Sequence, residues 1–188
     1  MSDVLVIDIE SVPHRIDEYE ESFPNSKKRA GLHAIISEVV CVGLVNNGEV
    51  VILDRQQFDS EKAILESLAD VLRAHIDSTI VTFNGKNFDF PFLMLRGALC
   101  GIKLDLPDKR ALRNLDIYDI LGGTWQSDVV SCSLSELGWA MYGKCKQSSG
   151  SDVADWWAHG ELGTIADHCK EDCNLTWKIY QDFRGILW

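Results

Sequence analysis

Three apolar runs rich in β-branched residues precede the first stretch of helical period, and they limit the fold more than any other feature of the sequence. Residues 4–9 form the first run. Residues 35–45 and 49–53 form the other two, parted only by Asn46, Asn47 and Gly48, whose tolerance of positive φ suits a tight antiparallel hairpin. Asp59 and Ser60 then offer a cap to a helix in which Ile64, Leu65, Leu68, Val71, Leu72 and Ile76 recur at helical spacing. Residues 79–83 predict a fourth strand, stopped by Asn84 and Gly85. Helical patterns begin near Phe88 and near Ser133, where Ser133 and Glu136 make a capping box, and a last helix runs from about residue 161 to 183. Residues 13–34, polar and carrying Pro13 and Pro24, predict a loop or short helix inserted after the first strand, and 148–151 (SSGS) predict a loop. Strands, a helix, a strand and further helices in this order imply an α/β fold. Its mixed central sheet, an antiparallel hairpin plus parallel strands, is expected to be flanked by helices.

A chain of 188 residues without internal repeat or linker is expected to form one domain over 1–188, burying roughly 70% of its unfolded surface. With 46% hydrophobic and 25% charged residues it lies outside the disordered and fibrous classes. No apolar run approaches bilayer-spanning length, so no membrane partner is expected. The opening MSDVLVIDIE is broken by carboxylates and lacks a basic leader, so it predicts a strand and not a signal peptide, and a cytoplasmic protein. Six scattered cysteines without a CxxC predict reduced thiols; the one close pair, Cys169 and Cys173, can share a helix face but lacks two further close-spaced ligands for zinc, so core packing is expected ahead of metal, and the six tryptophans are also expected mostly in the core. The net charge of −11 does not favour nonspecific nucleic-acid binding. Basic groups cluster locally at Lys27, Lys28 and Arg29, at Lys109, Arg110 and Arg113, and at Lys144 and Lys146; each reads more readily as solvated surface than as a nucleic-acid patch.

Four acids stand where a plain core would not put them. Asp8 and Glu10 end the first apolar run and point to one side of a strand, although a strand running out into solvent would look the same. On the last helix, Ile165, Cys169, Thr176, Ile179, Tyr180 and Phe183 define an apolar stripe. Asp172 falls about 20° from Ile165, within it, and His168 lies beside it, while Asp167, Lys170, Glu171, Asn174, Lys178, Gln181 and Asp182 take the opposite face. An ionised carboxylate facing a core is costly unless it is paired or binds a cation. Asp89 stands among Phe88, Phe90 and Phe92, either as the cap of the next helix or as a member of the site. Oxygen donors from three separated segments fit two hard divalent cations about 4 Å apart, the arrangement that clamps the attacking and leaving oxygens of a phosphodiester.

These residues resemble the DEDD superfamily of 3′-to-5′ exonucleases, which have the ribonuclease H-like fold. IDIES carries Asp8 and Glu10, VTFNGKNFDFPFL carries Asp89 and HCKEDCNLT carries Asp172. The second motif, together with LDIYDIL (115–121), YGKCK (142–146) and SGSDV (149–153), is similar to stand-alone exonucleases related to family B polymerase proofreading domains. The resemblance implies a single-stranded nucleic acid with a 3′ end as substrate, DNA ahead of RNA. It also implies two Mg²⁺ or Mn²⁺ ions, and a protein partner in replication or repair. By motif position Asp8 would bridge both metals, Glu10 and Asp172 would complete one site, and Asp89 would support the second through water. Asn84, Asn87 and Phe88 would meet the terminal nucleotide. Asp116 matches an acidic position of no assigned role. His168 stands where the polymerase-like branch has tyrosine, and Asp167 where the other branch has its histidine base. An imidazole here can serve as general base, or can simply be a helix-face histidine bonded to a neighbour. An endonuclease or oligonucleotide phosphodiesterase, and a non-catalytic nucleic-acid-binding or partner-recruiting module, are the competing readings.

Overall fold

A computed structural model describes residues 3–25, 31–122, 131–143 and 148–187. Lys27, Lys28, Arg29, Trp125, Lys144, Cys145, Lys146 and Trp188 lie outside the described residues. Strand β1 (Val4–Pro13) pairs antiparallel with β2 (Ser37–Asn46), which pairs antiparallel with β3 (Glu49–Asp54). On its other edge β1 runs parallel to β4 (Thr79–Thr82), and β4 runs parallel to β5 (Asn114–Asp116). The sheet is therefore mixed, in the order β3-β2-β1-β4-β5. The hairpin turn holds Asn47 at φ 48° and Gly48 at φ 93°, the two successive positive values a two-residue turn needs to match strand twist.

Helices cover both faces. Residues two apart on a strand share a side, so Leu5, Ile7 and Ile9 face α2 (Glu61–Ala74) and α3 (Asp89–Cys100), where they pack with Ile64, Leu65, Leu68 and Leu93. Each such fully buried side chain contributes roughly 1.5–3 kcal/mol. Val4, Val6 and Val12 face the opposite way, toward α7 (Leu162–Phe183), packing with Cys173, Ile179 and Tyr180 or with Ile165 and Cys169. Asp8 and Glu10 belong to that second series by alternation alone. The smaller helices are α1 (Ile16–Ser22), α4 (Ile117–Ile120), α5 (Leu134–Tyr142) and α6 (Val153–Ala158). Ser60 caps α2, and Ser133 with Glu136 forms the expected box at α5. No described helix is long and apolar enough to cross a membrane.

Several boundaries differ from expectation for physical reasons. β1 does not end at Asp8 and Glu10 but continues to Pro13, because β2 keeps pairing with it back to Ser37 across a register shift at Glu10/Ser11. β2 starts at Ser37, not at residue 35, and Ile35 is exposed. α2 stops at Ala74, leaving Ile76 in solvent. The SSGS stretch is not wholly loop: Gly150–Asp152 forms a 3₁₀ turn capped by Ser149. Trp139 is exposed and Trp156, Trp157 and Trp177 are only half-buried, as befits a side chain too large and too polar at its edge to be enclosed often.

Candidate active site

The site lies where β1, the loop between β4 and α3, and α7 meet. Asp8, Glu10, Asn84, Phe88, Asp89, His168 and Asp172 line one cleft of about 620 Å³, together with Ser11, Gly31, Leu32, Phe83, Gly150, Ser151 and Ala154. Side-chain period 2 on β1 and period 3.6 on α7 aim the first strand's two acids at His168 and Asp172, which are one helical turn apart. His168 Nε2 stands 3.5 Å from a Glu10 oxygen and 3.6 Å from Asp172 Oδ2, and the ligand atoms of the three residues lie within 4.8 Å of one another. Nδ1 of His168 is 2.8 Å from the Ser148 hydroxyl, and Trp156 packs edge-on against the ring. The imidazole is thus buried and oriented, with one nitrogen directed at carboxylates.

Asp89 is the first residue of α3, and Phe88, not Asp89, occupies the cap position. The buried Asp89 carboxylate instead accepts a hydrogen bond from the Ile9 amide at 3.1 Å, which ties the β4–α3 loop to β1 between Asp8 and Glu10. Burial pushes the Asp89 carboxyl up to about 7. It pushes Asp8 well above the carboxylate range too, reinforced by the neighbouring Cys169, Asp89, Glu10 and Asp172. Acids held together against their own repulsion, at the mouth of a cleft, fit a cation-binding function.

The remaining expected residues divide. Asn84 (φ 63°) and Phe88 line the cleft, whereas Asn87 stands outside the lining, donating to Asn84 Oδ1 and accepting from Lys109 Nζ at 2.9 Å. Lys109, one of the basic residues read as surface, is thereby linked to the rim. Asp116 is fully buried and accepts from the backbone amides of Asn84 (2.8 Å), Lys86 (2.9 Å), Tyr118 (3.0 Å) and Asp119 (3.3 Å). Burial raises its pKa although the loop amides pull the other way. Asp116 therefore holds the strained Asn84 turn in place, a role the sequence did not assign. Its match to an acidic position, within LDIYDIL, was the available signal. Gly31 and Leu32 were also missed. They reach the cleft because Ser11 donates to the Gly31 carbonyl and the Gly31 amide donates to Ser37 Oγ at 3.0 Å.

Comparison with known proteins is consistent with this geometry. A family model, RNase_H_2 of the RNase_H superfamily, matches residues 30–184. DNA polymerase 1 of Pyrococcus abyssi is 27% identical over 143 residues, covering 66% of this chain and 18% of the polymerase. The DNA polymerase of Thermococcus litoralis is 20% identical over an alignment covering 96% of this chain and 11% of that protein. The structure of the family B DNA polymerase from Pyrobaculum calidifontis superposes with a TM-score of 0.70 over 97% of this chain and 24% of that one, at 16% identity. That last likeness is one of fold, and the chain spans less than a quarter of the length of each of these proteins.

Proposed function

From the premise that the chain belongs to the RNase H superfamily, we propose that it is a divalent-cation-dependent 3′-to-5′ exonuclease. It would release nucleoside 5′-monophosphates from single-stranded nucleic acid, DNA ahead of RNA. The observation that carries the reading is the convergence of Asp8, Glu10 and Asp172, with His168 between them, on one cleft wall. The donor set fits hard cations: carboxylate oxygens dominate, and the raised pKa values of Asp8 and Asp89 mark a site short of positive charge. Asp8, Glu10 and Asp172 would hold Mg²⁺ or Mn²⁺, with Asp89 supporting from beside Ile9. Such ions supply activation of water and neutralisation of the departing oxygen's charge.

The chain's own residues do the rest. Nε2 of His168 accepts the proton of the attacking water, and the Ser148 contact at Nδ1 holds the ring in orientation. Phe88 and Phe83 line the cleft where the terminal base would rest, Asn84 would offer its amide to sugar or base, and Lys109 beside Asn87 would meet backbone phosphate at the rim. DNA comes ahead of RNA because the relatives named above are DNA polymerases.

A 5′-labelled single strand incubated with Mg²⁺ or Mn²⁺ tests the reading. A ladder shortening from the 3′ end, absent in chelator, is the expected result. Cleavage of a circular single strand would assign an endonuclease instead, and inertness on DNA and RNA alike would leave a binding module.

A further inference from the structure

Next to Asp8, outside the lining of the cleft, lies a group of thiols that phosphodiester hydrolysis does not use. Cys169 and Cys173 are one turn apart on the buried face of α7, and Cys41 comes from β2, opposite Glu10 in the ladder. All three are fully buried. Cys169 Sγ stands 3.7 Å from Asp8 Oδ2 and 3.8 Å from the Asp8 carbonyl oxygen. A carboxylate oxygen of Asp8 and the sulfurs of Cys169 and Cys173 lie within 4.8 Å of one another. Gly43, opposite Asp8 on β2, makes the room, since a Cβ there would collide with both sulfurs.

We propose that Cys169, Cys173 and Asp8 form a soft-cation site that takes Zn²⁺ or Cd²⁺, and that its occupation removes Asp8 from the cleft and stops hydrolysis. A tetrahedral zinc ion sits about 2.3 Å from sulfur and about 2.0–2.2 Å from carboxylate oxygen, which sets its sulfur and oxygen ligands about 3.5 Å apart. The 3.7 Å between Cys169 and Asp8 needs little adjustment to meet that. Thiolate donors select zinc and cadmium, whereas magnesium and manganese keep to the oxygens of Glu10 and Asp172. Cys41 is buried in the same cluster as Cys169 but is not one of the three ligands. Binding sends the two thiol protons to solvent, so it strengthens as pH rises. Asp8 is the only member of the trio that is not fully buried, and the ion enters past it from the cleft. The inhibitory half of the proposal rests on the nuclease reading; the binding half does not.

The test is a titration of the whole chain with Cd²⁺, followed by the ultraviolet sulfur-to-cadmium charge-transfer band, and with Co²⁺, followed by its visible tetrahedral bands. One equivalent should saturate both signals in the wild type and neither should develop in Cys169→Ala/Cys173→Ala. Wild-type protein without a sulfur-to-metal band overturns the proposal before any variant is made, as does a band that survives in the double variant. With Mg²⁺ held constant, the Zn²⁺ concentration that halves activity should rise at least about 100-fold in the double variant, beyond what loss of an outer-sphere partner costs. Unchanged zinc inhibition there would locate the inhibitory ion at Glu10, His168 and Asp172 instead. A saturating band in a chain inert toward every nucleic acid would refute the nuclease reading and leave the site standing.

Discussion

At the scale of single residues, the site is a set of charges arranged before any cation arrives, and each member has a distinct signature. Asp8→Ala and Asp172→Ala are expected to abolish cation-dependent hydrolysis while far-ultraviolet dichroism stays that of the wild type; activity retained in either variant would remove that residue from the site. His168→Ala should lose roughly 10²-fold in single-turnover rate, the usual size of a general-base contribution, and should flatten the rising limb of the pH–rate profile. An unchanged rate and limb would make His168 a packing residue, supporting Ser148 and Trp156 only. Asp89 makes a stability prediction. Its carboxyl rises from 3.8 to about 7 on folding, so the folded state holds that proton more tightly than the unfolded chain does. The contribution of Asp89 to stability is therefore greatest below about pH 4 and is lost as pH climbs through about 7, the opposite of a salt-bridged aspartate. In metal-free protein, thermal melts across that window should show the loss, and Asp89→Asn, which keeps an acceptor for the Ile9 amide, should reduce it. Asp172 and His168 were readable from the sequence because helical period alone turns them inward. For Asp89 the sequence left capping and site membership equal, since only the long-range bond to Ile9 separates them.

At the scale of elements, what the local pattern carries is period, and what it does not carry is pairing. The hairpin, α2, α5 and α7 were legible because their turn residues, caps and apolar spacing are all local. The end of β1 was not, because its last residues are strand only by pairing with residues 37–39 of β2, and so two acids expected at a strand end turn out to be mid-strand. The contribution of Gly31 and Leu32 was invisible for the same reason: it depends on hydrogen bonds spanning 20 and 6 residues. Asp116 shows the functional consequence. A three-residue strand carries it to the base of the β4–α3 loop, where its two oxygens collect four amides and set Asn84 in the left-handed region. Asp116→Asn replaces one accepting oxygen with a donor facing an amide, so KM for a single-stranded substrate should rise about tenfold, the size of one lost charge-assisted hydrogen bond. The cation-induced rise in melting temperature should remain, because Asp8, Glu10 and Asp172 are untouched. A variant with wild-type KM would mean that the loop holds its shape without Asp116.

At the scale of the whole molecule, the carboxylates come from segments as far apart as residues 8 and 172, and only the folded sheet with α7 across it brings them together. The unfolded chain has no comparable site, so a cation bound by the fold stabilises it by mass action. At 100 times the dissociation constant one ion contributes about 2.7 kcal/mol. For a domain of this size that raises the melting temperature by about 5–10 °C. The net charge of −11 works in the same direction, since divalent cations also relieve the general repulsion. A control must separate the two effects, and Asp8→Asn does so. The variant removes a carboxyl whose ionisation is opposed by burial and by Cys169, Asp89, Glu10 and Asp172, so without metal at neutral pH it should melt above the wild type. With saturating Mn²⁺ the order should reverse, because the wild type gains the bound-cation term and the variant loses most of it. Calorimetry of both proteins, with Mn²⁺ and with chelator, decides the matter. Parallel shifts in the two proteins would mean that Mn²⁺ acts through net charge alone and that the four acids do not form a common site.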